Sequence, residues 1–215
     1  MKIIDLTHVI KENMPVYPGT EAPTLKQANT YEVDGFKETR ISMFSHTGTH
    51  MDPPAHLFKE GKTLDAFDAD QFFGKALVID CKELNEGDVI TMDHLNKYGD
   101  KIHEAEFLLF NLGWDKYWGS DAYFGDYACI NDEVLDFIIE KKYKGIGFDV
   151  IGLDPIADVN LTRHNKLFRS IDIVNIENLK NLHLCGDDLF TFSCYPLLIE
   201  NSDGSPIRAL AILDK

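Results

Sequence analysis

Three histidines and an aspartate fall within eleven residues of this chain, in the run His46-Thr47-Gly48-Thr49-His50-Met51-Asp52-Pro53-Pro54-Ala55-His56. Imidazole nitrogen and carboxylate oxygen are the donors that zinc, manganese and other borderline cations accept, so the first chemistry to consider is metal binding. The prolines settle part of the local geometry. Each removes a backbone donor and biases the preceding residue toward extended backbone, which excludes an α-helix and with it the i, i+4 zinc pair of H-E-x-x-H sites. In an extended chain alternate side chains share a face, so His46, Gly48, His50 and Asp52 point the same way. His46 and His50 would then stand about 13 Å apart, at roughly 3.3 Å per residue, too far to share one ion. The chain has to bend between them, and Gly48 is the residue that permits it. The expectation is a curved, non-helical loop or strand end with a cation in its concavity.

The elements that must position this run are short. Strands are expected over Ile3 to Ile10, Thr39 to Phe44, Ala76 to Cys81, Phe107 to Phe110 and Ile146 to Ile151, from apolar runs or apolar–polar alternation. Three more are expected at Leu182 to Cys185, Leu189 to Ser193 and Ile207 to Leu213, with a turn at Ser202-Asp203-Gly204-Ser205-Pro206. The clearest helix runs from Asn131 to Tyr143. Asn131 suits its cap, Asp132 and Glu133 its positive end, Lys141 and Lys142 its negative end, and Gly145 its stop. Strand, helix and strand at this spacing suggest a parallel crossover. A shorter helix is expected at Thr91 to Gly99. His94 and His103 have no ligand partners at useful spacing and read as solvated. The chain carries more strand than helix.

A metal site needs more than one short run. A helix between Asp158, as its cap, and Arg169 would carry His164, and Glu177 would open a short helical segment through Lys180. On spacing alone both are surface groups. A histidine and a carboxylate from a separate segment are, however, what a second cation would require.

At 215 residues the chain is most simply one domain, residues 1–215, with room for a sizeable core. The formal charge of −15 opposes nucleic acid and anionic membrane as partners. Cys81, Cys129, Cys185 and Cys194 show no C-x-x-C pairing, and three of them sit in or beside apolar runs, where a reduced buried thiol is expected. No signal-peptide core and no apolar run of spanning length is visible, so a cytoplasmic protein is expected.

The His46–His56 run resembles the H-x-G-T-H-x-D-x-P-x-H signature of the cyclase-like metal-dependent hydrolases, a group that includes arylformamidases acting in tryptophan catabolism. Pro15-Val16-Tyr17-Pro18-Gly19, Gly113-Trp114-Asp115, the His164 and Glu177 pair and Asp203-Gly204-Ser205-Pro206 extend the resemblance over nearly the whole chain. The resemblance implies an α/β fold, a swivelling β/β/α-type domain with a mixed curved sheet and outer helices, assembled as a homodimer or higher homo-oligomer. It implies His46, His50 and Asp52 as ligands of a first cation, Asp52 bridging to a second that His164 and Glu177 hold. The cofactor would be Zn2+, one or two per chain, with Mn2+ as the alternative. It assigns His56 to proton transfer and Tyr17 to the substrate pocket. Three departures bear on the substrate: Pro53 stands where Ala is common, Tyr17 where Trp is common, and Asn111-Leu112-Gly113-Trp114 where Arg-Thr-Gly-Trp is common.

Three functions compete. The first is hydrolysis of a small amide or formamide, such as N-formylkynurenine, by metal-activated water, with His56 handing a proton to the leaving amine. The second is a cyclase or dehydratase reaction on the same site. The third is a non-catalytic, metal-stabilised binding protein, in which His56 would have no purpose of its own.

Overall fold

The computed structural model describes residues 1–213. Its strands are β1 (Lys2–Asp5), β2 (Thr24–Asn29), β3 (Glu38–Ser42), β4 (His50–Asp52), β5 (Phe73–Asp80), β6 (Val89–Ile90), β7 (Phe107–Asn111), β8 (Cys129–Ile130), β9 (Gly145–Phe148), β10 (Val174–Glu177), β11 (Phe190–Ser193), β12 (Ser205–Pro206) and β13 (Leu210–Leu213). The helices are α1 (Tyr31–Asp34), α2 (Met92–Asn96), α3 (Lys101–Glu104), α4 (Asp132–Lys141) and α5 (Thr162–Ser170).

The continuous apolar runs are strands covered on both faces, the sequence pattern of buried parallel strands. Along β5 and β7 the side chains alternate. Leu77, Ile79, Leu108 and Phe110 enter one core with the inner face of α4, while Ala76, Val78, Phe107 and Leu109 enter a second core. Nine strands form one mixed sheet in the order β1-β13-β11-β5-β7-β9-β10-β4-β12. Its middle, β5-β7-β9-β10, is parallel and its flanks are antiparallel. The sheet curls around the second core, and its helices are few and lie outside. This is the expected α/β fold with a mixed curved sheet. The expected crossover occurs twice, as β7–α4–β9 and as β9–α5–β10.

One register positions the site. In the antiparallel pairing of β10 with β4, Asn175 lies opposite Asp52 and Glu177 opposite His50. On the other side of β4, Ser205 lies opposite Met51 and Pro206 opposite His50. β4 is thus held from both sides, between the end of β10 and the Ser202–Gly204 turn.

Several expectations need correction. Glu177 does not begin a helix; it ends β10, because the β-branched Val174 and Ile176 enter the core at strand spacing and the next residue, Asn178, turns to φ 58°. Leu182–Leu184 is a 3-10 turn and not a strand, its three-residue period burying Leu182 and Cys185. The first strand stops at Asp5, and only Thr7 bridges onward, to Leu179. The helix over 132–141 is stopped by Lys142 in the left-handed region (φ 55°), not by Gly145. Gly145 instead opens β9, where a Cβ would press on the Phe107 ring. Helix α5 begins at Thr162, after Leu161, and Asp158 ties the preceding turn by accepting from the N–H groups of Asn160 and Thr162. His94 is half-buried, not solvated: its Nδ1 accepts from the Thr91 N–H in a capping box at the start of α2. All four cysteines are buried and free. Among the described residues no helix is long and apolar enough to cross a membrane.

The β2–β3 hairpin stands apart. Neither strand nor the intervening α1 buries a single residue, and Tyr31, Val33, Phe36, Ile41 and Phe44 on or beside it are exposed.

Candidate metal centre

The bend expected at Gly48 is present. Gly48 takes φ 67°, a conformation open to glycine at little cost, and the chain then runs straight into β4. Its carbonyl turns inward and accepts from His50 Nδ1 (2.8 Å) and from Asn178 Nδ2 (2.8 Å). Beyond Asp52, Pro53 and Pro54 allow no α-helix; one 3-10 turn, Pro54–His56, starts with proline at its first position and swings His56 back toward the motif. The His56 ring lies 4.0 Å from that of His46 and 6.3 Å from that of His164, centre to centre.

Two groups of candidate ligands share Asp52. In the first, Asp52 Oδ1 lies 2.7 Å from His46 Nδ1 and 3.3 Å from His50 Nε2. In the second, Asp52 Oδ2 lies 3.7 Å from His164 Nε2, which is 3.3 Å from Glu177 Oε1. The donor atoms within each group lie within 4.8 Å of one another. His50, Asp52, His164 and Glu177 are all buried, and His46 is half-buried. His164 and Glu177 are therefore interior groups, contrary to the surface positions that spacing alone suggests. His164 is carried inward on the buried face of α5 with Leu167 and Phe168, and Glu177 by the β10–β4 register.

Burying two carboxylates beside three imidazoles is costly unless positive charge accompanies them. In the metal-free protein protons play that part. Burial works against a charge on His50, yet Asp52 and then Glu177 override it and raise the imidazole to about 9. His164 is likewise raised well above its ordinary value against its burial, chiefly by Asp154, Asp52 and Glu177. Asp52 is held well below the usual carboxylate range, the nearby His50 and His46 outweighing its burial. His56 behaves differently. Burial lowers its pKa, so it is neutral at neutral pH.

The donor set and its supports fit a divalent cation. His164 Nδ1 is committed to Asp154 (2.7 Å), and His50 Nδ1 to the Gly48 carbonyl, which leaves Nε2 of both rings facing the carboxylates, where a cation that displaces the proton would find a lone pair. Asp154 is itself fixed by the N–H groups of Arg163 and His164. Asn175 Nδ2 lies 3.1 Å from Asp52 Oδ2 and 2.9 Å from Glu177 Oε1, so one amide steadies both acids.

Asp154, Asn175, Asn178 and Asp203 escaped the reading of the sequence as individual site residues. Asn175 carried a usable signal, since at two residues before Glu177 it must share that residue's strand face. The sequence marks the Asp203-Gly204 pair only as a turn and as part of the resemblance. For Asp154 no local spacing could have served, because its partner is ten residues away across a loop.

A cavity of about 550 Å³ opens above these groups. Its floor is the histidine–acid cluster, and Val16, Tyr17, Phe44, Val159 and Leu161 supply apolar wall. Tyr17 is thus among the residues that line the cavity. Buried imidazoles and acids at the bottom of an apolar cavity, on a curled mixed sheet, define a metal-binding enzyme of the α/β class.

The chain belongs to the cyclase family, whose description, "Putative cyclase", is matched by residues 4–155. It is 30% identical over 215 residues to a kynurenine formamidase of Bacillus thuringiensis (strain Al Hakam), covering 96% of this chain and 95% of that one. It is 32% identical over 209 residues to a kynurenine formamidase of Geobacillus thermodenitrificans (strain NG80-2), with the same coverage. The fold matches that of an isatin hydrolase bound to the product analogue thioisatinate, with a TM-score of 0.89 at 24% identity, over 100% of this chain and 93% of that one.

Proposed function

We propose that the protein is a metal-dependent hydrolase that cleaves the C–N bond of a small aryl formamide or amide, N-formylkynurenine being the first substrate to test. The observation that carries this reading is the pairing of two candidate ligand groups through Asp52, with a further histidine, His56, beside them and a cavity above.

His46, His50 and Asp52 would hold one cation and Asp52, His164 and Glu177 a second, zinc by the nitrogen–oxygen donor set, with manganese the alternative. Cations bound there supply Lewis acidity, polarising the amide carbonyl and lowering the pKa of water from 15.7 toward about 7. The chain does the rest. The apolar wall with Tyr17 binds and orients the aryl group and excludes bulk water. An imidazole nitrogen of His56 takes a proton as water adds to the carbonyl, and returns it to the amine nitrogen as the C–N bond breaks. The products are a carboxylic acid and a free amine. A closed structural site would leave His56 and the cavity without a task, which favours catalysis over a purely structural metal.

Elemental analysis of the purified protein, run together with turnover of N-formylkynurenine and of simple formanilides, tests the reading. Bound divalent metal with amide hydrolysis is expected. Bound metal with no hydrolysis across formamides, lactams and cyclic imides would favour the cyclase or dehydratase reaction on the same site.

A homodimer or larger homo-oligomer belongs to the same proposal. A two-stranded hairpin is marginal in water by itself, and β2–β3 with its exposed Val33, Phe36 and Ile41 has no apolar cover within the described chain. A second copy of the chain is the cover proposed. Light scattering on Ile41→Glu should show smaller particles than the wild-type protein; unchanged mass would remove the hairpin from the interface.

A further inference from the structure

The three imidazoles of the centre are not held alike. His50 has its far nitrogen fixed to a backbone carbonyl inside the protein, and His164 has its own fixed to the buried Asp154. His46 stands at the edge, its side chain 22% exposed. Its Nδ1 shares Asp52 Oδ1 with His50 and so faces the first cation position. Its other nitrogen, Nε2, faces Asp203 Oδ2 at 3.3 Å, on a carboxylate that is 57% exposed. A ligating imidazole needs an acceptor for its remaining N–H, because that bond sets both tautomer and ring direction.

Asp203 sits on a built turn and not on a free loop. Ser202 Oγ donates to the Gly204 carbonyl (2.6 Å), and the Ser202 carbonyl accepts from the Leu64 N–H (3.0 Å). The next two residues are β12, paired to β4, the strand that carries His50 and Asp52. Gly204 lies against the His46 ring so closely that any Cβ there would collide with it. Acceptor, ring clearance and attachment to the ligand strand thus come from one five-residue stretch, 202–206.

We propose that this turn is the holder of His46. Asp203 is a positioning residue that accepts from His46 Nε2–H, Gly204 admits the ring, and the position formed by His46, His50 and Asp52 is the weaker and more readily exchanged of the two. The inference rests on the reading that the centre binds divalent cations. Its physical basis is the contrast in burial. A hydrogen bond to a solvated carboxylate restrains a ring less than one to a buried acid, since water competes for both partners.

The test is competition for Zn2+ between the metal-stripped protein and a chromophoric chelator, followed with thermal melting of the metal-free forms. The wild-type protein should take up two Zn2+ per chain with affinities separated by about tenfold or more. Asp203→Ala should weaken the looser site by about 10–100-fold, the usual cost of losing a ligand's supporting acceptor, and leave the tighter site and the metal-free melting temperature unchanged. Asp203→Asn retains a carbonyl oxygen for Nε2–H and should restore most of that affinity. Gly204→Ala should weaken the same site with the carboxylate intact. Asp203→Ala that binds both ions as the wild type does, or loses both equally, overturns the proposal. Asp203→Asn as damaging as Asp203→Ala also overturns it, by making Asp203 a ligand in its own right beside His46 and His56. Wild-type protein that takes up no Zn2+ would fail the metal reading itself, a result distinct from two bound ions indifferent to Asp203.

Discussion

On one side of the candidate metal centre, His46, His50 and Asp52 come from seven consecutive residues, and a single bend at Gly48 brings them together. On the other side, Asp154, His164, Asn175 and Glu177 come from a loop, a helix and a strand, and meet only because β10 pairs with β4 and α5 folds back over the sheet. The first side is set by covalent spacing; the second is set by tertiary structure. The second is also the better buried and the more densely hydrogen-bonded, with the Arg163, His164 and Leu153 N–H groups and the Asn175 amide all engaged on its acids. A ligand group that depends on the whole fold is expected to be the more rigid one.

Asp52 belongs to both sides, so removing its charge should have the largest effect. Asp52→Asn should abolish binding of both ions and reduce hydrolysis to background, with metal content read by elemental analysis. Glu177→Gln should cost one ion and leave the other on His46, His50 and Asp52. Loss of both ions from Glu177→Gln would break the picture of two separable sides.

His56 tests whether the motif side carries chemistry beyond ligation. His56→Ala should retain its metal while kcat falls by about 10²–10⁴-fold, the usual worth of a positioned proton carrier. Lost metal would make His56 a ligand instead. Next in size is Asp154→Asn, which leaves His164 in place but weakens the acceptor on its Nδ1. Affinity for the ion held by Glu177 should fall by about 10–100-fold, measured by chelator competition, with the motif-side ion unaffected.

Most of the motif side was legible in the sequence. The prolines, the glycine and the alternation of candidate ligands along an extended chain require only local stereochemistry. The same holds for β5, β7 and α4, whose apolar periods and caps act within one element. The assembled side was legible only as two candidate residues. Glu177-Asn178-Leu179-Lys180 has the composition of a helical turn, and nothing within those four residues records that Ile176 and Val174 are drawn into the core as a strand. Asp154 sits in a loop, and its role depends on α5 placing His164 beside it. Candidate ligands supplied by long-range pairing leave no spacing rule to read.

The smallest expected effect at neutral pH lies behind the motif side, at His8. Its backbone N–H donates to Thr49 Oγ1 (2.9 Å), its ring stacks on Trp118 at 3.9 Å, and its buried Nε2 has no hydrogen-bond partner. Burial, helped by the charge of Lys180, lowers this imidazole to about 4. The unfolded chain, with its histidine near 6.5, then binds a proton that the folded one refuses. Stability is full above pH 6.5 and is lost as pH falls from there toward 4, by up to about 3 kcal/mol at the lower limit. His8→Phe keeps the stacked ring and removes the titration, so denaturant melts of this variant should show a flatter pH dependence across that window. Protons also compete with a cation for the candidate ligand imidazoles throughout this window, so both proteins are compared metal-free. An unchanged slope in His8→Phe would mean that acid acts on the centre's own histidines and acids, and not on the residue behind them.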